Sequence, residues 1–348
     1  MASSCLDLLR PSGCDSDPSA YCKFPSPMGT KFLPCVPSGV RLDMPDVDAL
    51  PNVGIKMGKG LRVPGPNLPR GLPLDWESYY AGVRSAYDLI ASEYDEMVGR
   101  ALVSRRAKTI ATELIAHLSP QGGSLLDVGC YTGTEALLLA QRGFRVVGID
   151  LSPNMIELSR SKAKRWHLTD RARFEVARAS DLSPLQIAGL GPFDTAYSVY
   201  GTLNLEPRIE KFKNSIHHLL KPRGALVVGL LNPIVLYQLL LGPLALRFDG
   251  YRRLAKRPVK TRIGIGNHTL PGFLYSPTEF RKLVEPEFTL EGVRGVHILY
   301  PPPRKFSAGM EGRWWLARAL DRIEGYVENQ VPFSSLGLFA LMSFRRAG

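Results

Sequence analysis

"LLDVGCYTGTEALLLAQRGFRVVGID", residues 125 to 150, decides how the rest of the chain is read. Leu125 to Val128 form an apolar run with Asp127 inside it, which predicts a short buried strand. Gly129 and Gly133 bound a turn, "TEALLLAQRG" predicts a helix stopped by Gly143, and "RVVGID" predicts a second strand ending at Asp150. Such a unit joins two parallel strands through a crossover helix and leaves its turn at the C-terminal edge of the first strand. Glycine lets backbone approach a ligand, and the first N–H groups of a helix have no partner within it, so this edge is suited to binding. The acid closing the second strand stands about 20 residues after the turn, where a carboxylate meets ribose hydroxyls.

A dinucleotide pyrophosphate asks for G-x-G-x-x-G. Counted from Gly129, the second and third glycine positions hold Tyr131 and Thr134. The turn is therefore poorly suited to a pyrophosphate and better suited to a smaller ligand with one nucleoside. The Tyr131 side chain is expected to point away from that ligand.

Outward from this unit the chain keeps alternating. "PNMIELSRSKAKRWH", "EPRIEKFKNSIHHLLKPRG" and the stretch around "GRWWLARALDRIEGYV" predict helices. "RFEVAR", "FDTAYSVYG", "ALVVGLL", "EFTLEGVRGVHIL" and "GLFALMSFRR" predict strands. Upstream, Tyr80, Val83, Tyr87, Ile90, Ala91 and Tyr94 recur at helical steps and give one apolar, aromatic face. Ile110, Leu114, Ile115 and Leu118 mark a second helix. The expected fold class is α/β, a doubly wound seven-stranded sheet. The alternation predicts a mostly parallel sheet. Residues 1–73, rich in Pro, Gly and Ser, read as an irregular or disordered leader, 74–120 as lid helices, and 121–348 as the main domain with a cap insert at about 232–286.

Several stretches in order resemble the class I S-adenosylmethionine-dependent methyltransferases of the small-molecule type. "LLDVGCYTG" is similar to their first motif, with Tyr131 as its one departure, and "VVGIDLSPNMIELSR" to the acidic second motif. "FDTAYSVYGTLN" looks like the fourth strand and its loop, and "HLLKPRGALVV" like the turn before the fifth strand, with Arg223 in place of a glycine. "AYDLIASEYDEMV" is similar to a lid helix. The resemblance implies S-adenosylmethionine as cofactor, an antiparallel C-terminal strand, an N-terminal helical lid and an insert between the fifth and sixth strands. It places Asp127, Gly129, Cys130, Tyr131 and Gly133 along the methionine side, Asp150 at the ribose, and Leu151 and Met155 beside the adenine. The family's acceptor for the adenine amino group has Arg178 at its usual place, with Asp181 three residues later as a substitute. Tyr94 of the lid is a further candidate for cofactor contact.

A sulfonium methyl is already electrophilic, so such a protein mostly supplies alignment and desolvation. An oxygen acceptor also needs a base. Candidate catalytic residues are His268, in the insert, and Tyr200 and Asn204, in the loop after the fourth strand; each has a plain structural reading as well. No metal is called for. The expected activity is methyl transfer to oxygen or carbon of a hydrophobic small molecule such as a quinone, polyketide or lipid. Two alternatives stay open: an RNA or protein methyltransferase, and a non-catalytic module that binds S-adenosylmethionine.

The net charge of +12 over 348 residues motivates the RNA alternative, but no appended RNA-binding module accompanies it, and nucleic acid is disfavoured as a partner. In the insert, "NPIVLYQLLLGPLALRF" precedes the basic "YRRLAKRPVKTR", a pattern that fits either peripheral membrane contact or a cap helix with a solvated basic edge. Prolines, glycines and polar residues interrupt the apolar run, which argues against a membrane span. Four cysteines fall in the leader without a C-x-x-C pair, so a zinc site is disfavoured. The N-terminus lacks the pattern of a secretory signal, and a cytoplasmic location with reduced cysteines is expected. The sequence carries no statement of oligomeric state.

Overall fold

Alternate side chains along each strand fall on opposite faces of a sheet, and here they sort the apolar residues into two cores. In the computed structural model, Leu125 of strand β3 (Ser124–Val128) belongs to one core, Leu126 and Val128 to the other. The same parity holds in β7 (Leu220–Leu231), where Val227 faces the first core and Leu226, Val228 and Leu230 face the second. The structure describes residues 21–24, 31–34, 75–99, 102–241, 259–265, 268–299 and 314–348.

The chain divides into two units, 1–62 and 63–348. In the first, β1 (Tyr21–Phe24) pairs antiparallel with β2 (Lys31–Pro34). The second holds the seven-stranded sheet. Between β3 and β7 lie β4 (Arg145–Asp150), β5 (Ala172–Val176) and β6 (Phe193–Ser198), and the sheet ends with β10 (Phe288–Val296) and β11 (Phe339–Arg346). The strand order is β10-β11-β7-β6-β3-β4-β5. The strands from β7 to β5 pair in parallel, while β11 runs antiparallel between β7 and β10, as the sequence led one to expect.

Helices cover both faces. On one face lie α3 (Leu102–Leu118), α4 (Thr134–Gln141) and α5 (Pro153–Arg165), whose Ile115, Leu137, Leu139 and Ile156 are at most 1% exposed. On the other face lie α7 (Ile209–Leu219) and α9 (Pro277–Val284), with Phe212, Ile216 and Phe280 fully buried. Each such side chain contributes about 1.5–3 kcal/mol by leaving water, which is what holds the helices to the sheet. Helix starts follow local chemistry. Ser152 accepts from Met155 N at 3.1 Å with Pro153 next to it, and Ser276 with Glu279 forms a capping box at α9.

In the insert, the described part of the apolar start forms α8 (Leu236–Leu241), residues 242–258 lie outside the described residues, and β8 (Val259–Ile265) and β9 (His268–Leu274) form an antiparallel pair outside the main sheet. Gly264, Pro271 and Gly272 break the alternation that would have announced a hairpin, though proline is tolerated on a strand with a free edge. The basic run from 251 to 258 lies outside the described residues. No helix among the described residues is long and apolar enough to cross a membrane.

Candidate functional site

Strands β5, β4 and β3 are neighbours, and their C-terminal ends share one edge. Over this edge runs the segment formed by α1 (Trp76–Ile90), a 3-10 turn (Ala91–Glu93) and α2 (Tyr94–Gly99). One of its acids grips the loop after each of these strands. Glu77 takes both terminal nitrogens of Arg178, after β5, at 2.7 and 2.9 Å. Asp88 accepts from Ser152 Oγ and from Asn154 N, after β4. Asp95 accepts from Thr132 Oγ1, after β3, at 2.5 Å and pairs with Lys162 of α5. The Glu77 and Asp95 carboxylates are 71% and 49% exposed, so solvent screens both pairs; the Asp88 contact is better shielded. Tyr80 adds a fourth contact: its hydroxyl meets Glu206 and Ser180 while Arg178 and Arg208 lie over its ring at 4.7 and 5.2 Å.

Beneath this lid sits Asp150, 7% exposed. One carboxylate oxygen accepts Ser152 N at 2.9 Å and the other accepts Tyr131 N at 3.0 Å. Burial pushes its pKa up to about 6, opposed by those two N–H donors. A carboxylate oxygen accepts about two hydrogen bonds, so each retains capacity for one more donor. The pair of oxygens thus fits the two adjacent hydroxyls of a ribose. Met155, fully buried, and Leu151 pack with the lid aromatics beside it.

The glycine turn is organised differently from the expectation. The N–H groups of Gly129 and Cys130 both donate to Ile149 O at 2.8 Å, which ties them to β4 instead of leaving them for a ligand. Gly129 has φ +80, and a Cβ there would meet the Thr202 side chain at 2.2–2.8 Å. Gly133 has φ +73, and its Cβ would meet the ring of Phe174 and Ser159 Cβ at 2.8–2.9 Å. Both positions therefore need glycine for packing within the protein. Asp127 is 2% exposed, and burial followed by the charge of Glu135 raises its pKa. Burial likewise raises the Cys130 thiol, which stays protonated and inert.

Tyr131 does not turn away. At φ +50, a left-handed conformation that costs a non-glycine residue about 1–2 kcal/mol, its ring points to the lid. It stacks on Tyr94 at 5.0 Å and 12°, lies 5.6 Å from Tyr87, and its hydroxyl accepts from Thr202 Oγ1 at 3.1 Å. Tyr94 is thus a partner of Tyr131. Asp181 is exposed, and its carboxylate accepts Ser183 Oγ at 2.6 Å and Ser183 N at 3.3 Å, so it is engaged next to α6 (Ser183–Ile187). Arg178, at the place where an adenine partner was sought, clamps the lid.

The loop after β6 carries the remaining candidates. Asn204 is fully buried: its oxygen accepts Leu231 N at 2.7 Å, and its nitrogen donates to Leu231 O and Phe273 O at 3.2 and 2.7 Å. That amide staples β7 to β9, a structural role beside the catalytic one expected for it. Tyr200, at φ +60, has a buried hydroxyl with no hydrogen-bond partner among the described residues, and burial raises its pKa well above the ordinary value. It lines a cavity of about 10 Å³ with Ala107, Ala111, Val199, Gly229 and Phe339. That is room for about one water. His268 opens β9 opposite Ile265, and its side chain lies outside the described residues. Among the described residues no cluster of His, Cys, Asp and Glu is arranged to hold a metal.

Sequence reasoning did not single out Glu77, Asp88, Asp95 or Thr202. Acids on an amphipathic helix look like solvated charges, and a lone threonine in a turn has no periodic signature. Comparison with known proteins agrees with the site's architecture. A family model described as a methyltransferase domain matches residues 125–224. The chain is 33% identical over 116 residues to the erythromycin 3''-O-methyltransferase of Saccharopolyspora erythraea, covering 33% of this chain and 36% of that protein. It is 34% identical over 152 residues to the ubiquinone/menaquinone biosynthesis C-methyltransferase UbiE of a Geobacter species (strain M21), covering 42% of this chain and 61% of that one. The chain thus spans about a third to three fifths of the length of these curated relatives. The crystal structure of the cyclase SpnF shares the fold at 19% identity, with a TM-score of 0.52 over 76% of this chain and 95% of that one.

Proposed function

For a chain that belongs to the class I S-adenosylmethionine-dependent methyltransferases, we propose transfer of a methyl group to an oxygen or carbon of a hydrophobic small molecule. S-adenosylmethionine, when bound, supplies a methyl already activated on a sulfonium. Asp150 would hold its ribose hydroxyls, and the lid over Leu151 and Met155 would exclude water from the nucleoside. The observation that supports the acceptor class is the pair of small-molecule methyltransferases among the relatives, an O-methyltransferase for erythromycin and a C-methyltransferase of quinone biosynthesis. The space beside Tyr200, with its apolar wall, holds about one water and would have to open to admit an acceptor.

That wall holds no carboxylate or imidazole, and the Tyr200 phenol stays protonated near neutral pH. Tyr200 is then a hydrogen-bond donor that orients an acceptor oxygen. The acceptor would bring its own reactive form, as an acidic quinol or an enol carbon does. To test this, the full chain is titrated with S-adenosylhomocysteine by calorimetry and assayed with methyl-labelled S-adenosylmethionine against quinols, polyketides and total RNA. Label is expected in the organic extract, with binding weakened about 100-fold or more in Asp150→Ala. Label in RNA alone would overturn the acceptor class, and binding that survives Asp150→Ala would overturn the ribose site.

A further inference from the structure

We infer that Tyr131 is a specificity residue for the methyl donor itself, its ring standing where the amino-acid arm of S-adenosylmethionine must seat, so that the arm binds only at the cost of moving the ring. The inference rests on the reading of Asp150 as the ribose acid. Residue 131 is the immediate neighbour of any diol held there, because its own N–H donates to Asp150 Oδ2 at 3.0 Å. Its left-handed backbone aims the ring beneath the lid, into the stack with Tyr94 and against Tyr87. The hydroxyl at the far end is held by Thr202 Oγ1, and Thr202 in turn fills the face of Gly129 that a Cβ would occupy. Gly129, Tyr131 and Thr202 form a continuous bar from the loop after β3 to the loop after β6.

A sulfonium on this nucleoside carries three carbon branches: the ribose 5′ carbon, the methyl, and the aminocarboxypropyl arm. With the ribose on Asp150 and the methyl turned to the loop bearing Tyr200, the arm leaves along the turn after β3. The bar lies there. Seating the arm requires the Tyr131 ring to leave Tyr94 and release Thr202, and that cost is subtracted from whatever the arm gains. A nucleoside without the arm incurs none of it. The ratio of affinities for S-adenosylhomocysteine and 5′-methylthioadenosine, which share adenosine and sulfur and differ in the arm, therefore reads the effect of Tyr131 directly. Glycine at 131 also relieves the backbone strain, but it does so for both ligands equally.

Calorimetric titration of the full chain with both compounds, in the natural protein and in Tyr131→Gly and Thr202→Val, tests this. In Tyr131→Gly, S-adenosylhomocysteine is expected to bind about tenfold more tightly, with 5′-methylthioadenosine unchanged within about twofold. Thr202→Val, which keeps the volume and removes the hold on the hydroxyl, is expected to give a smaller gain in the same ratio, about threefold. Unchanged binding of 5′-methylthioadenosine also reports that each variant is folded. Equal or weaker binding of S-adenosylhomocysteine in Tyr131→Gly, with 5′-methylthioadenosine still bound, would overturn the role of Tyr131 and leave the ribose site intact; a weaker value would mean that the ring grips the arm. Absence of binding by both compounds in every protein, natural and variant, would overturn the reading of Asp150 and the inference with it.

Discussion

The loops after β4 and after β6 end on the same edge of one sheet, yet they are built of opposite materials. After β4, Asp150, Ser152, Asn154 and the lid's Asp88 make a polar net in which each group is bonded and acceptor capacity is left on Asp150. After β6, Tyr200 and Gly201 take left-handed backbone conformations, and the space they shape is walled by alanine, valine, glycine and phenylalanine. In the proposed reading, the first loop holds the nucleoside by directed hydrogen bonds, and the second meets the acceptor through apolar contact. The division explains how a common sheet edge can keep one ligand constant while the other varies.

The largest effect that sharpens this comparison is structural. Asn204 is the polar exception in the loop after β6, and its three backbone bonds join two elements that no ladder connects. Asn204→Ala removes them and leaves Leu231 N without its partner, so a loss of about 3 kcal/mol is expected in denaturant unfolding. If stability held within about 0.5 kcal/mol, the staple would be redundant and a ligand-facing role for Asn204 would return. Next in size is the pH dependence of the loop after β4. The folded pKa of Asp150, about 6, lies above the ordinary carboxylate value because of burial. Ionising it therefore costs the ligand-free fold stability, which is greatest below that ordinary value and declines as pH rises through about 6. A ribose donating two hydroxyls favours the charged form, so nucleoside affinity has the opposite slope. It should fall about tenfold per pH unit once pH drops well below 6, measured by calorimetry across that range with 5′-methylthioadenosine. A flat profile would mean that Asp150 does not carry the diol.

The two loops were not equally legible. The unit from Leu125 to Asp150 was read correctly because its signals are local: an apolar run, a helix stop at Gly143, an acid at a strand end. The sheet's antiparallel C-terminal strand was expected from the family resemblance and not from local signals. A second reason for the turn glycines was not legible, since Gly133 is also fixed by Phe174, which lies far along the sequence and close in space. The lid's clamps were missed for the same reason. Asp88 meets Ser152 across 64 residues, Asp95 meets Thr132 across 37, and Glu77 meets Arg178 across 101. Periodicity announces which face of a helix is apolar; it says nothing about which acid on the other face will find a donor. Tyr131 stands between the two cases. Its departure from glycine was plain, but its direction depends on a stack with Tyr94 and a bond from Thr202 that only the fold brings together.

The smallest expected effect is the most pointed test of the apolar loop. A buried hydroxyl that lacks a partner normally costs the fold, and the Tyr200 hydroxyl has none among the described residues. Tyr200→Phe keeps the ring and its edge contact with Phe339 at 6.2 Å, so stability should stay within about 0.5 kcal/mol or rise. The proposed role of the oxygen is then contact with the acceptor. Turnover of an oxygen acceptor should fall about tenfold through kcat while cofactor affinity is unchanged, because the phenol orients the acceptor and does not touch the nucleoside. A carbon acceptor that presents no oxygen to Tyr200 should be indifferent to the same substitution. Loss of stability by more than about 1 kcal/mol, with turnover intact, would instead make the hydroxyl a structural group and shift the search for acceptor contacts to the insert that contains His268.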